Sequence, residues 1–267
     1  MGDEDSPRNL EDSDADVNHF TMLLAGEEEE EEEVAEKESM VPLQHQRYHL
    51  QSIASTILIR QIPSQGLSFQ LWPAAATLIN LLDARRHAHP TLSALLARRD
   101  AGNPLRALEL GSGTGAAGIA AAAILGARVT VTDLPHVLPN IQFNVDLNRE
   151  ALETHGGAVD VAALSWGEME DMEAMGRGKY DLIMGSDVVY HDHLYEPLLK
   201  TLRFFLSGEE RTAAFLMAHL RRWKKESGFF KKAKKDFDVE IIHRDPPLDG
   251  ARIGVAVYLF VPKTGLN

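Results

Sequence analysis

Leu108-Glu109-Leu110-Gly111-Ser112-Gly113-Thr114-Gly115 decides how this chain is read. The apolar run 105–110 is a strand pattern, and it enters a turn with glycine at every second position. A small-residue helical pattern follows over 116–125. This is the βα turn of a nucleotide-binding α/β sheet, where a missing Cβ lets the backbone bend tightly and approach a ligand. Twenty residues beyond Gly113, Asp133 follows a second strand pattern over 128–132. An acid at that place accepts hydrogen bonds from both ribose hydroxyls of an adenosine.

The glycines alone do not choose the ligand. Gly111, Gly113 and Ala116 fit the dinucleotide spacing, and so do Gly113, Gly115 and Gly118. A nicotinamide cofactor and S-adenosylmethionine both offer a ribose to the acid. Three features favour S-adenosylmethionine as cofactor. Glu109 stands two residues before the first glycine, where a carboxylate can meet a cationic ligand end, directly or through water. Trp166 follows a third strand pattern (158–164), where an indole face can pack on adenine. The run Asp181-Leu182-Ile183-Met184-Gly185-Ser186-Asp187-Val188-Val189-Tyr190 gives a fourth strand that ends in polar groups. Ligands of open α/β sheets bind outside the carboxyl ends of the strands, where Asp187 and Tyr190 would project.

Outward from this stretch, strand and helix patterns alternate. Helices are expected over 116–125, 139–148 and 194–206, with further strands over 180–186 and 211–218. A helix over 224–235 leads to strands over 238–243 and 254–261, joined by a turn at Asp245-Pro246-Pro247. The expected fold is α/β: a doubly wound, mostly parallel, Rossmann-like seven-strand sheet with an antiparallel C-terminal strand. A small β/helical extension precedes it: paired strands within 48–62, a helix opened by Leu71-Trp72-Pro73, and a helical piece over 91–98. The expected organisation is an acidic disordered tail over 1–43, an extension over 44–104 packed on the core, and the core itself over 105–267. Residues 44–267 would form one structural domain.

The net charge of −13 is concentrated in the tail. Residues 1–40 hold sixteen acids against Arg8 and Lys37, a net of −14, and the remaining 24 acids and 25 bases give +1. The tail contains the block Glu27 to Glu33, whose repulsion and lack of apolar residues predict disorder. It reads as a solubilising segment, or as an arm for a basic partner or for the chain's own basic stretch 221–235. That stretch reads as a solvated helix face. A near-neutral folded part argues against nucleic acid. No run approaches the roughly 18 apolar residues of a membrane span, and there is no cysteine for a disulfide or thiolate metal site. Cytoplasmic location, with the nucleus also open, and a monomeric state are the expectations. His191 and His193 read as a loop before a helix capped by Asp192, so no metal is expected.

The motifs resemble those of the class I, seven-strand methyltransferases. More narrowly they resemble the protein lysine methyltransferases of methyltransferase family sixteen, unrelated to the SET-domain enzymes. The likeness covers about residues 48–262. It rests on Leu71-Trp72-Pro73-Ala74-Ala75, the glycine turn, Thr132-Asp133-Leu134-Pro135, Asn140 through Asn148, Ser165-Trp166-Gly167 and Asp187-Val188-Val189-Tyr190. The resemblance implies that Trp72, Gly111, Ser112, Gly113, Asp133, Trp166 and Ser186 line the cofactor site. It implies that Asp187 and Tyr190 face the acceptor and support catalysis. Ser186 would make its contact through the backbone, since relatives often have Ala there. The activity implied is methyl transfer from S-adenosylmethionine to the lysine ε-amine of a cytosolic protein.

A lysine acceptor carries a difficulty. With a reference pKa of about 10.4, roughly one amine in 2,500 is neutral at pH 7. A neighbouring sulfonium and partial desolvation push the amine toward neutrality. Asp187 pulls the other way, so its expected role is to orient the ammonium and then the amine lone pair, the proton leaving through water. Blander roles are open for the same residues: Asp187 as a helix cap, Asp133 as a turn residue, Tyr190 and Trp166 as packing. A histidine, nucleobase or small-molecule acceptor also stays open, as does a catalytically inactive protein-binding module. Asp245-Pro246-Pro247-Leu248 lacks the aromatic of the nucleobase motif and reads as a turn.

Overall fold

A computed structural model describes residues 44–84, 89–96, 104–206, 213–247 and 253–263, all within the unit Leu43–Asn267. The acidic segment 1–43 lies outside the described residues, and so does the expectation that it is disordered.

Strands β1 (Gln44–Leu50) and β2 (Ser55–Gln61) form the expected antiparallel hairpin. Helices α1 (Pro73–Asp83) and α2 (Pro90–Leu96) follow, with Pro73 at the first helical position, where its missing N–H costs nothing. The alternating part then runs β3 (Arg106–Leu110), α3 (Ala116–Leu125), β4 (Arg128–Asp133), α4 (Leu138–Leu147), α5 (Arg149–Thr154) and β5 (Ala158–Ala163). It continues through α6 (Met169–Met175), β6 (Leu182–Ser186), α7 (Tyr195–Leu206) and β7 (Ala214–His219). The chain closes with α8 (Ser227–Ala233), β8 (Phe237–Arg244) and β9 (Ala256–Pro262).

Seven strands form one sheet in the order β5-β4-β3-β6-β7-β9-β8. Strands β3 to β7 are parallel, and β9 runs antiparallel to both β7 and β8. Strand β9 therefore slots between β7 and β8. The order reverses between β3 and β6, which makes their carboxyl ends the place for a ligand.

Side chains alternate across the sheet with period two, and both faces are covered. Ala107, Leu182, Met184 and Leu216 join the core on the side of α1 and α3. Leu108, Leu110, Ile183, Phe215 and Met217 join the core on the side of α7 and α8. Seven of the ten residues of helix α3 are Ala or Gly and nine are buried, so it lies very close to the strands. A Cβ on Gly118 would stand 2.3 Å from a Val131 methyl and 2.6 Å from Glu109 Oε2.

Helix α4 and the residue after it fasten the hairpin to this core. Asn148 accepts the Leu58 N–H at 2.8 Å and donates to the Leu58 carbonyl at 2.7 Å. One turn earlier, Asn144 treats Arg60 the same way, at 2.8 and 3.1 Å. Another turn back, Asn140 accepts from Arg60 Nε at 2.9 Å. A helix face thus pairs with the outer edge of β2 as a neighbouring strand would, leaving those backbone groups satisfied.

The basic stretch departs from expectation. Instead of one helix over 224–235 there is a 3₁₀ turn (Lys224–Glu226) followed by the short α8. The Glu226 side chain points inward and is fully buried, which breaks the solvated face.

Candidate active site

The glycine turn is held by backbone geometry. Gly111, Gly113 and Gly115 have φ values of 60, 54 and 77°, the left-handed region that costs side-chain-bearing residues about 1–2 kcal/mol. Space is short as well. A Cβ on Gly111 would meet Trp166 Cζ2 at 2.8 Å and a Val188 methyl at 3.2 Å, and one on Gly113 would meet the Ser68 carbonyl at 3.0 Å. Ser112 ties β3 to β4: its N–H donates to the Thr132 carbonyl, and its Oγ accepts the Thr132 N–H at 3.0 Å.

Two acids stand at this turn. Asp133 Oδ2 accepts the Gly113 N–H and Oδ1 accepts the Leu134 N–H, both at 2.8 Å. Burial raises the Asp133 carboxyl, and these two N–H groups together with the nearby His136 offset only part of it. Glu109 is buried under α3, where Oε2 accepts the Gly118 N–H at 2.9 Å. Its Oε1 is buried and has no hydrogen-bond partner among the described residues. Desolvation pushes the Glu109 carboxyl up to about 8. Among the described residues neither acid is paired with a lysine or arginine. Such a pair, next to a turn too tight for side chains, fits a cationic ligand that carries sugar hydroxyls.

Asp187 follows β6 directly and is a non-glycine residue at φ 54°. Its N–H donates to the Ala218 carbonyl at 3.0 Å. Oδ1 accepts the Leu220 N–H at 2.9 Å and lies 3.4 Å from His219 Nδ1. Oδ2 accepts Arg222 Nη2 at 3.0 Å. Burial would raise this carboxyl, but His219 and Arg222 outweigh it and hold it below the usual range. Asp187 therefore caps no helix. The 3₁₀ turn Asp192–Leu194 begins after His191, without a side-chain cap from Asp192 or any other residue.

A second layer lies behind Asp187. His219 Nε2 is 3.1 Å from Glu226 Oε2, and both side chains are fully buried. Glu226 also accepts the Arg222 backbone N–H, at 3.1 Å. Burial would lower the imidazole, but the Asp187 and Glu226 carboxylates on either side raise it overall.

Glu109, Gly111, Ser112, Gly113 and Asp133 come together at the donor end, with Trp166 against Gly111. Trp72 makes contacts nearer the acceptor end: its Nε1 donates to the Leu67 carbonyl at 3.0 Å, and Arg222 Cζ stands 5.3 Å from its ring centroid. Ser186 closes β6 half-buried, with Tyr190 four residues on in the same loop. Arg222 leaves the solvated face assigned to it and turns onto Asp187. His219, Glu226 and Ser68 had no assigned role. A titratable residue at the carboxyl end of an otherwise apolar strand marks His219, because ligands gather there.

This constellation defines a doubly wound, S-adenosylmethionine-dependent methyltransferase. The chain belongs to the lysine methyltransferase family, whose model matches residues 52–236. Protein N-lysine methyltransferase METTL21A of Mus musculus is 34% identical over 196 residues, which are 73% of this chain and 80% of that protein. METTL21A of Danio rerio is 36% identical over 148 residues, 54% of this chain and 62% of the relative. Protein-lysine N-methyltransferase rrg1 of Schizosaccharomyces pombe is 31% identical over 183 residues, 66% of this chain and 56% of the relative. The matches thus span between about half and four fifths of these relatives' lengths. S-adenosylmethionine is the cofactor. Among the described residues no group of three or more His, Asp or Glu is placed to hold a metal ion, and no helix is long and apolar enough to cross a membrane.

Proposed function

We propose that this chain methylates a lysine ε-amine of a protein, with the donor at the β3–β4 turn and the acceptor at the mouth beside Asp187. The packing of the loop after β6 against the donor turn carries the reading. A Cβ on Gly111 would stand 3.2 Å from a methyl of Val188, which follows Asp187 directly. Burial raises the Tyr190 phenol in the same loop, and the Asp133 carboxylate raises it further.

When bound, the cofactor supplies a methyl group on a sulfonium, which departs as a neutral thioether as the amine lone pair takes the methyl. Positioning is then most of the catalysis. Glu109 answers the cationic end of the donor and Asp133 its sugar hydroxyls, while Trp166 flanks the turn. A carboxylate offers about four acceptor positions. Leu220 takes one position on Oδ1 of Asp187, which His219 Nδ1 approaches to 3.4 Å, and Arg222 takes one on Oδ2. A further position on the carboxylate accepts one N–H of the amine and so aims its lone pair. Tyr190 walls the channel, and the proton leaves to water.

The protein substrate, a cytoplasmic or nuclear location and a monomeric state belong to the same proposal. They are supported by the relatives' names, the absence of cysteine and the near-neutral composition of residues 41–267. The test is incubation with labelled S-adenosylmethionine and cell extract, then mass spectrometry of the labelled band, beside calorimetry with S-adenosylhomocysteine and NAD. Label on a protein lysine and heat with S-adenosylhomocysteine alone are expected. Label confined to histidine or nucleic acid, or no label at all, overturns the reading.

A further inference from the structure

We propose that Arg222 sets the charge of the acceptor mouth: paired with Asp187, it makes the site take the acceptor lysine as a neutral amine and reject the ammonium. The inference rests on the lysine-methylation reading above.

Arg222 is not a solvated cation. Its side chain is 17% exposed and that of Asp187 is 5% exposed. Nη2 donates to Asp187 Oδ2 at 3.0 Å and Nη1 to the Leu220 carbonyl at 3.2 Å, with the Trp72 ring alongside. The main chain is pinned too, since the Arg222 N–H donates to the buried Glu226. A residue that only decorated a basic surface would need none of these ties.

The charges around Asp187 can be followed element by element. The loop after β6 brings Asp187 and the neutral phenol of Tyr190, β7 brings His219, and the loop beyond it brings Arg222. The 3₁₀ turn brings Glu226, which adds to burial in raising the phenols of Tyr195 and Tyr258. Asp192 acts the same way on Tyr195, and Arg244 and Arg221 act against it on Tyr258. Trp72, before α1, adds no charge. The guanidinium of Arg222 thus stands on Asp187 from one side, and the imidazole of His219, which also meets Glu226, approaches it from the other. Burial would lower that imidazole, but the two carboxylates raise it overall.

A bare Asp187 would stabilise the ammonium and hold the acceptor in its unreactive form. With Arg222 in place, an ammonium approaching Asp187 finds the anion already paired with a guanidinium. A neutral amine loses nothing there, because it only donates an N–H. The conflict between orienting the lysine and lowering its basicity is thereby removed.

The test uses the extract band that the wild-type protein labels, with enzyme in large excess, so that the single-turnover rate reports the complex. The rate is followed from pH 6 to pH 10 for wild type, Arg222→Gln and Arg222→Lys. For Arg222→Gln the acid limb is expected to move up by about one pH unit, giving about tenfold slower transfer at pH 7 that converges on wild type near pH 10. Arg222→Lys, which keeps the charge but not the fork, keeps the limb at the wild-type position whatever its height. A rate lowered by the same factor at every pH, an unmoved limb in Arg222→Gln, or a Lys limb displaced like that of Gln overturns the inference. Wild-type protein that binds S-adenosylhomocysteine yet labels no lysine overturns the methylation reading instead, and this inference with it.

Discussion

Asp133 and Asp187 stand at the carboxyl ends of two strands of one sheet, and the fold treats them in opposite ways. Asp133, like Glu109 beside it, receives backbone N–H groups and no lysine or arginine, and burial raises both carboxyls. Asp187 receives an arginine and sits against a histidine, and its carboxyl is lowered. On the proposed lysine methylation, the difference follows from what each end would receive. The donor would bring its own positive charge to a turn where no lysine or arginine among the described residues meets either acid. The acceptor would react as an uncharged amine beside a carboxylate that Arg222 already pairs.

The largest test of this contrast is Asp187→Ala. It removes the Asp187 carboxylate from Arg222 and leaves the buried His219 with Glu226 alone. Removing one partner of a buried ion pair costs about 3–5 kcal/mol, so the melting temperature should fall clearly while S-adenosylhomocysteine still binds at low temperature. Loss of donor affinity with unchanged melting would show the acid to belong to the donor end. Next in size is Gly111→Ala. Left-handed strain of about 1–2 kcal/mol adds to a Cβ placed 2.8 Å from the Trp166 ring, and such overpacking costs about 1–3 kcal/mol. Here calorimetric affinity for S-adenosylhomocysteine should collapse together with stability. Wild-type affinity would break the account of a donor end built from backbone.

The donor end is legible in the sequence because local geometry demands its residue types. Left-handed φ values require glycine at 111, 113 and 115, and the acid lies one strand further on. The acceptor end is legible only in part. Asp187 and Tyr190 stand where the strand pattern stops, but Arg222 sits in Arg221-Arg222-Trp223-Lys224-Lys225, where nothing periodic separates a buried cation from solvated ones. Only the contact with Asp187, 35 residues away, makes the distinction. The asparagines at 140, 144 and 148 show the same limit. Their spacing fixes a helical face, but a polar stripe reads as solvent-facing until the open edge of β2 is placed against it.

The last test separates the two ends by pH alone. Glu109 has an ordinary value of 4.5 and a folded value of about 8. Between those values the unfolded chain has released this proton and the folded chain still holds it, so the group's contribution to stability falls as pH rises. Asp187 is lowered from 3.8, so its contribution is present above that value and is lost as pH falls through its folded one. His219 is raised from 6.5, so its contribution is complete below that value and is lost as pH rises through its folded one. The acceptor network is therefore strongest between 3.8 and 6.5, while the donor end is already losing stability above 4.5. Glu109→Gln keeps an acceptor for the Gly118 N–H and removes the titration. Its melting temperature relative to wild type should climb from pH 4.5 to about 8 and then level off. The same variant should bind S-adenosylmethionine more weakly, having no charge for the cationic end. A melting gap that stays flat across that window would mean that Glu109 is ionised in the free protein, and the contrast between an uncompensated donor end and a compensated acceptor end would fail at its first residue.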